Sequence, residues 1–292
     1  MNLKTVKLLL TFFFLWVTTQ FGIDIENLLA YIFVLSLGIL HGSNDLKLIG
    51  NFSGEIRYSF RTKLSIYVFV VLFSFCFFLI FPTIGFLLFI LFSGYHFGEQ
   101  HLAEKIKSKH WSKYFLYLIY GLLVFFLIFQ THSNEVIVII YDITNITLST
   151  TFFSYFLFIT FITFISLLIF YLVYSNYKNS LIQLFEEVVY VFLFYILFTN
   201  STLLWSFAIY FIVWHALPSL NDQIINIYGQ TNLTNIIKYL RVSFLYWGLS
   251  VIGISMLSYY TADNTALFNL LFVALLASIT FPHAIVIFKM QR

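Results

Sequence analysis

Long apolar runs limit this chain more than any other feature. Ten stretches approach the roughly 20 mostly apolar residues that an α-helix needs to cross a bilayer. They are Val6–Phe21, Leu28–Leu40, Leu64–Phe81, Ile84–Phe97, Tyr114–Phe129, Phe152–Tyr174, Leu184–Phe198, Thr202–Leu217, Leu240–Tyr260 and Ala266–Phe288. The second, fourth and seventh are the shortest, so the count is about ten, within a range of eight to ten. Val136–Ile146 is apolar but too short to span and reads as an interfacial or re-entrant piece. In lipid a backbone must satisfy its own hydrogen bonds, which favours helices over every open alternative. The expected fold is therefore all-α, a polytopic transmembrane helix bundle forming a single integral membrane domain over residues 1–292. Only 9% of the residues are charged and 61% are hydrophobic, against roughly a quarter charged in soluble domains. That composition excludes a water-soluble enzyme, a disordered chain and a nucleic-acid binder. The single cysteine, Cys76, excludes a disulfide framework and a cysteine-based metal site.

The connections between runs supply the orientation. Lys4 and Lys7 precede the first run, and Lys47, Arg57, Arg61 and Lys63 follow the second. Lys105, Lys107, Lys109 and Lys113 follow the fourth, Lys178 the sixth, Lys238 and Arg241 the eighth, and Lys289 and Arg292 the last. With ten spans all 15 basic residues fall on one side. The positive-inside rule then places both termini in the cytoplasm. Thr18-Thr19-Gln20 lacks the small-residue pattern of a signal-peptide cleavage site, so the first run reads as an anchor. The expected location is the cell (plasma or inner) membrane, multi-pass.

This topology sorts the histidines. His41 ends the second run, His96 the fourth and His215 the eighth, and His283 lies in the cytoplasmic half of the tenth. Four helices thus each carry one imidazole near one face. His101 lies just past that face, His110 sits in a basic loop, and His132 is on the opposite side. Neutral imidazole is a common ligand for iron, zinc and copper, and facing helices that each project one inward build metal sites in bundles. Each histidine can instead be a satisfied polar group at a helix interface, but four at one depth favour a shared site.

The neighbours fit supporting roles. Asp45 follows His41 by four residues and shares its face if the helix continues past Gly42. Glu99 and Asp222 lie near His96 and His215 and can orient ring nitrogens; each acid can equally be a solvated surface charge. Pro218 disfavours helical geometry at Leu217, so the eighth helix is expected to end just after His215. Pro282 is expected to kink the last helix immediately before His283. Gly38, Gly42, Gly94 and Gly98 allow close helix approach. Tyr95, Phe97, Trp214 and Phe281 flank the histidines and can line an apolar pocket.

Four motifs taken together resemble a known family. Leu40-His41-Gly42-Ser43-Asn44-Asp45, Tyr95-His96-Phe97-Gly98-Glu99-Gln100-His101, Trp214-His215-Ala216-Leu217-Pro218 and Pro282-His283 are similar to the blocks of the Brp/Blh family. These are bacterial and archaeal membrane β-carotene 15,15'-dioxygenases. The resemblance runs from about Ala30 to Phe288; Ser43 stands where alanine is common, and a leucine replaces the frequent proline before His41. It implies cleavage of β-carotene by O₂ into two all-trans retinal molecules, at a non-haem Fe(II) centre held by His41, His96, His215 and His283, with His101 left open. The substrate would enter from the lipid bilayer, and a microbial rhodopsin is the expected user of the retinal.

Two rivals weigh less. A membrane di-iron desaturase or hydroxylase carries eight or more histidines in His-x-x-x-His and His-x-x-His-His boxes, whereas this chain has seven and no such box. A histidine-based transporter of protons or ions calls for polar groups at several depths and interrupted helices near the midplane, and these histidines collect near one face.

Overall fold

A computed structural model describes residues 3–51, 59–106, 110–174 and 180–290. Arg57, Lys107, Lys109, Lys178 and Arg292, used above to orient the chain, lie outside them. The described residues are all-helical, with no strand. In chain order the helices are α1 (Leu3–Gln20), α2 (Ile23–Phe33), α3 (Asp45–Asn51), α4 (Phe60–Ile80), α5 (Pro82–Leu102), α6 (Ser112–Thr131) and α7 (Ser133–Thr144). There follow α8 (Thr150–Tyr174), α9 (Ser180–Asn200), α10 (Leu203–Ile209), α11 (Leu217–Tyr228), α12 (Leu233–Tyr260) and α13 (Thr265–Met290). Each of the ten apolar runs falls on helix. Among the described residues six helical stretches are long and apolar enough to cross a membrane: Phe60–Ile80, Ser112–Thr131, Thr150–Tyr171, Leu203–Tyr228, Leu233–Tyr260 and Thr265–Met290. The short run Val136–Ile146 falls largely on α7.

Capping residues set several of the starts. Ser59, Thr202 and Asn232 each accept a hydrogen bond from the backbone N–H three residues on, at the first turns of α4, α10 and α12. Gly229, with φ of 85°, closes α11 in the left-handed conformation that glycine adopts without strain. Pro82 opens α5, where its missing N–H costs nothing.

The expectation that the eighth helix stops after His215 is wrong. The helix widens to π geometry over Tyr210–Ala216 and continues directly into α11, which has Pro218 in its first turn. In an unbroken α-helix the Pro218 ring would clash with the carbonyl of Trp214. The wider turn shifts those carbonyls by one residue, and a proline in a first turn is tolerated. A second π segment, Val34–Gly38, extends α2 toward His41. There the Trp247 indole N–H donates to the Leu35 carbonyl at 2.7 Å.

The chain packs as two compact units. The first comprises Met1–Tyr31, Ser93–Val138 and Thr147–His215. In it α6 packs against α8 and α9, and α1 against α9. Indole N–H groups tie the widened helix to α1: Trp205 donates to the Thr18 hydroxyl at 3.0 Å and Trp214 to that of Thr11 at 2.9 Å. The second unit comprises Ile32–Phe92, Ile139–Ile146 and Ala216–Arg292. Its core sets α4 on α13, with Phe78, Ile143, Ala274 and Ala277 buried together. A smaller cluster of Leu48, Val286 and Ile287 seats α3 on α13. Outward faces carry large apolar side chains, among them Phe69 and Phe73 on α4 and Leu245 and Leu249 on α12. Apolar surface that extensive is stable against lipid.

Candidate functional site

In the second unit the structure brings His41 and His283 together. The chain leaves the π segment through a tight turn, with Gly42 N–H donating to the Ile39 carbonyl and Ser43 N–H to that of Leu40. This turn presents His41. His283 follows Pro282 inside α13. The two rings meet edge to face, with centroids 4.9 Å apart. Both side chains are buried.

The partners of these rings fix their tautomers. Nδ1 of His41 is hydrogen-bonded to the Gly38 carbonyl. A carbonyl oxygen can only accept, so Nδ1 carries the hydrogen and Nε2 carries the lone pair of the neutral ring. Nδ1 of His283 lies 2.8 Å from Asp45 Oδ1, and a carboxylate imposes the same tautomer there. The helix does break after Leu40, so Asp45 opens α3 and shares no face with His41. It meets His283 instead, 238 residues away. Asp45 Oδ2 accepts a further hydrogen bond from the Tyr67 hydroxyl of α4 at 2.8 Å.

Gln223, on α11, holds the His41 turn from its backbone. Its side-chain amide donates to the His41 carbonyl at 2.8 Å and accepts from the Tyr239 hydroxyl at 2.7 Å. The neighbouring Asn44 donates to the Ser243 hydroxyl of α12 at 2.5 Å. Asp222, adjacent to Gln223, is partly exposed on α11. Phe281 packs edge to face on Phe92, with centroids 5.3 Å apart.

In the first unit His96 and His215 form the other pair, ring centroids 4.6 Å apart and nearly perpendicular. Each side chain is only 1% exposed. Aromatic rings enclose His215: Phe97 at 4.5 Å and Phe211, stacked within 17°, at 5.5 Å. Phe97 stacks in turn on Phe125. Glu99 accepts a hydrogen bond from the Tyr95 hydroxyl at 2.9 Å. Trp214 turns into the helix packing, with Tyr190 and Phe194 at its edges and the Lys7 ammonium 4.8 Å over its ring.

His101 belongs to a different cluster of that unit. Its Nε2 lies 2.7 Å from Glu187 Oε2, Lys105 Nζ lies 2.5 Å from Glu187 Oε1, and its ring stacks on Tyr120 at 4.5 Å. Five residues separate His101 from His96, so the two leave α5 in different directions. Glu187 is only 3% exposed. Replacing Lys105 with alanine leaves that buried carboxylate without its cation. About 3 kcal/mol of stability should be lost, read as a lower melting temperature in detergent. Glu187→Ala should cost less, because the Lys105 ammonium it leaves behind is 31% exposed and already partly hydrated.

Gln223, Tyr67 and Glu187 are polar neighbours of these histidines that the sequence does not single out. Glu187 had a usable signal, since an acid inside the apolar run Leu184–Phe198 is expensive unless paired. Tyr67 and Gln223 had none, because tyrosine and glutamine are unremarkable at helix positions.

Each unit thus holds a pair of buried imidazoles, and in one pair both rings present Nε2 by virtue of what Nδ1 binds. Such a donor set suits a borderline divalent metal such as iron. Comparison with known proteins adds one finding. A family model described as beta-carotene 15,15'-dioxygenase matches residues 32–291. No curated protein and no solved structure matches the chain.

Proposed function

The chain belongs to the beta-carotene 15,15'-dioxygenase family, and from that premise we propose that it cleaves β-carotene at its central double bond with O₂. The double bond breaks, each carbon takes one oxygen atom, and two molecules of all-trans retinal leave. Both atoms of O₂ are accounted for, and no net proton or outside reductant is consumed. We assign His41, His96, His215 and His283 as the ligands of one Fe(II).

The observation that carries this assignment is the state of the His41 and His283 rings. Both are buried, their centroids are 4.9 Å apart, and both are tied at Nδ1, which leaves the lone pair of each neutral ring on Nε2. The His96 and His215 pair adds two more buried imidazoles in an aromatic setting. Iron, when bound, supplies the O₂ activation that side chains alone do not provide.

The chain's own residues do the rest. Asp45 and the Gly38 carbonyl hold two rings in the ligating tautomer. Phe97, Phe211 and Phe125 exclude water around His215. Tyr95, Phe97 and Phe281 are the side chains we assign to the polyene, an apolar wall that keeps its central bond in register. The substrate dissolves in the hydrocarbon layer, so we infer lateral entry from the bilayer of the cell membrane. The same reading keeps the ten spans and both termini in the cytoplasm. The aldehyde product suits a microbial rhodopsin as its user.

Expression in a host that accumulates β-carotene tests the reading. The colour should bleach and retinal should appear in the extract. Colour retained by cells that contain folded protein and sufficient iron would sink the proposal.

A further inference from the structure

We propose that Tyr67 is a positioning residue for His283, acting through Asp45. The inference rests on His283 holding a metal.

Three elements converge on one carboxylate. His283, from α13, meets Oδ1 at 2.8 Å, and Tyr67, from α4, donates to Oδ2 at 2.8 Å. Asp45 itself is 1% exposed at the start of α3. A carboxylate held at one oxygen can still turn about its Cβ–Cγ bond, and the ring bonded to it turns with it. A donor on the second oxygen fixes the carboxylate plane. The Tyr67 hydroxyl therefore sets the angle at which Asp45 meets the imidazole, and through it the direction of His283 Nε2.

Outer groups of this kind typically change metal affinity by roughly 10- to 100-fold, although they never touch the metal.

The test uses the full-length protein in detergent with cobalt(II) as the probe metal, because its visible bands report ligand geometry. Tyr67→Phe keeps the ring and removes one hydroxyl, so it should fold with nearly the wild-type melting temperature. It should nevertheless bind cobalt about tenfold more weakly and show shifted bands. Asp45→Asn should lose more. The double variant Tyr67→Phe/Asp45→Asn should lose no more than Asp45→Asn alone, since one residue acts through the other.

Wild-type affinity and an unshifted spectrum in Tyr67→Phe would overturn the positioning role, as would fully additive losses in the double variant. His283→Ala separates that failure from failure of the underlying reading. If His283→Ala loses the cobalt bands while Tyr67→Phe keeps them unchanged, only the positioning role falls. If His283→Ala keeps the wild-type bands, His283 is not a ligand and both fall. Should Tyr67→Phe melt early, Asp45→Glu serves instead. It keeps the charge but moves the oxygens by one methylene, and it should shift the bands in the same direction; an unmoved spectrum counts against the role.

Discussion

Alanine at His41, His96, His215 or His283 is expected to strip iron from the purified protein and to abolish retinal formation. Each loss should exceed the roughly 100-fold that removing an outer partner costs, because on the proposed assignment the removed atom is itself a ligand. The two pairs should fail alike. His41 and His283 lie edge to face in one unit, and His96 and His215 do so in the other. If one pair proves dispensable for iron, the four-histidine assignment is wrong and the metal belongs to the remaining pair. His132→Ala is the control. His132 bonds the Ser201 carbonyl at 2.8 Å, away from both pairs in sequence, and its variant should keep its iron. Metal analysis and retinal yield, measured on the same preparations, check all five variants. His101→Ala should also keep iron, because its ring is committed to Glu187 and Tyr120.

The second large effect is expected at two glycines. In the first unit α5 crosses α6 so closely that a methyl group on Gly98 would overlap the Tyr117 carbonyl, and one on Gly121 would overlap that of Gly94. Backbone atoms cannot step aside as a flexible side chain can. Gly98→Ala or Gly121→Ala must therefore push the helices apart or leave the fold. The expected loss is at the upper end of the roughly 1–3 kcal/mol range for overpacking or beyond it. Little monodisperse protein should be recovered, and what survives should have lost function, since His96 stands two residues from Gly98. Gly248→Ala and Gly253→Ala are the contrast. A methyl group there meets nothing within 4 Å, so both should express and melt like the parent. If Gly98→Ala melts at the parental temperature, the close crossing of α5 and α6 is wrong. Gly94 and Gly98 stand out in the sequence as close-approach positions; Gly121, which supplies the other side of the contact, does not.

Much of the helical content was legible because the apolar runs are long and interrupted by few prolines. The histidines were legible for the same reason, since an imidazole costs little notice in a soluble chain but stands out in one that is 61% hydrophobic. Pro218 misled. A proline after leucine locally predicts a helix end, yet the π segment Tyr210–Ala216 absorbs it. Such widening changes which carbonyl each N–H meets, and no pattern of apolar residues encodes that. Asp45 misled differently. Spacing tied it to His41, but the turn at Gly42 redirected it to a histidine on the last helix.

Linear pattern alone is enough for the class of solvent the chain is built for, for the helices and the four imidazoles and, through the ordered motifs, for the family. Those properties are local or compositional, so a linear reading reaches them. Which groups hold those imidazoles emerges only in three dimensions. Asp45 with Tyr67, Gln223 with the His41 carbonyl and Glu187 with His101 are contacts across 22 to 182 residues of chain. A hydrogen bond depends on where two atoms end up, within a few tenths of an ångström, and that placement is set by how whole helices pack.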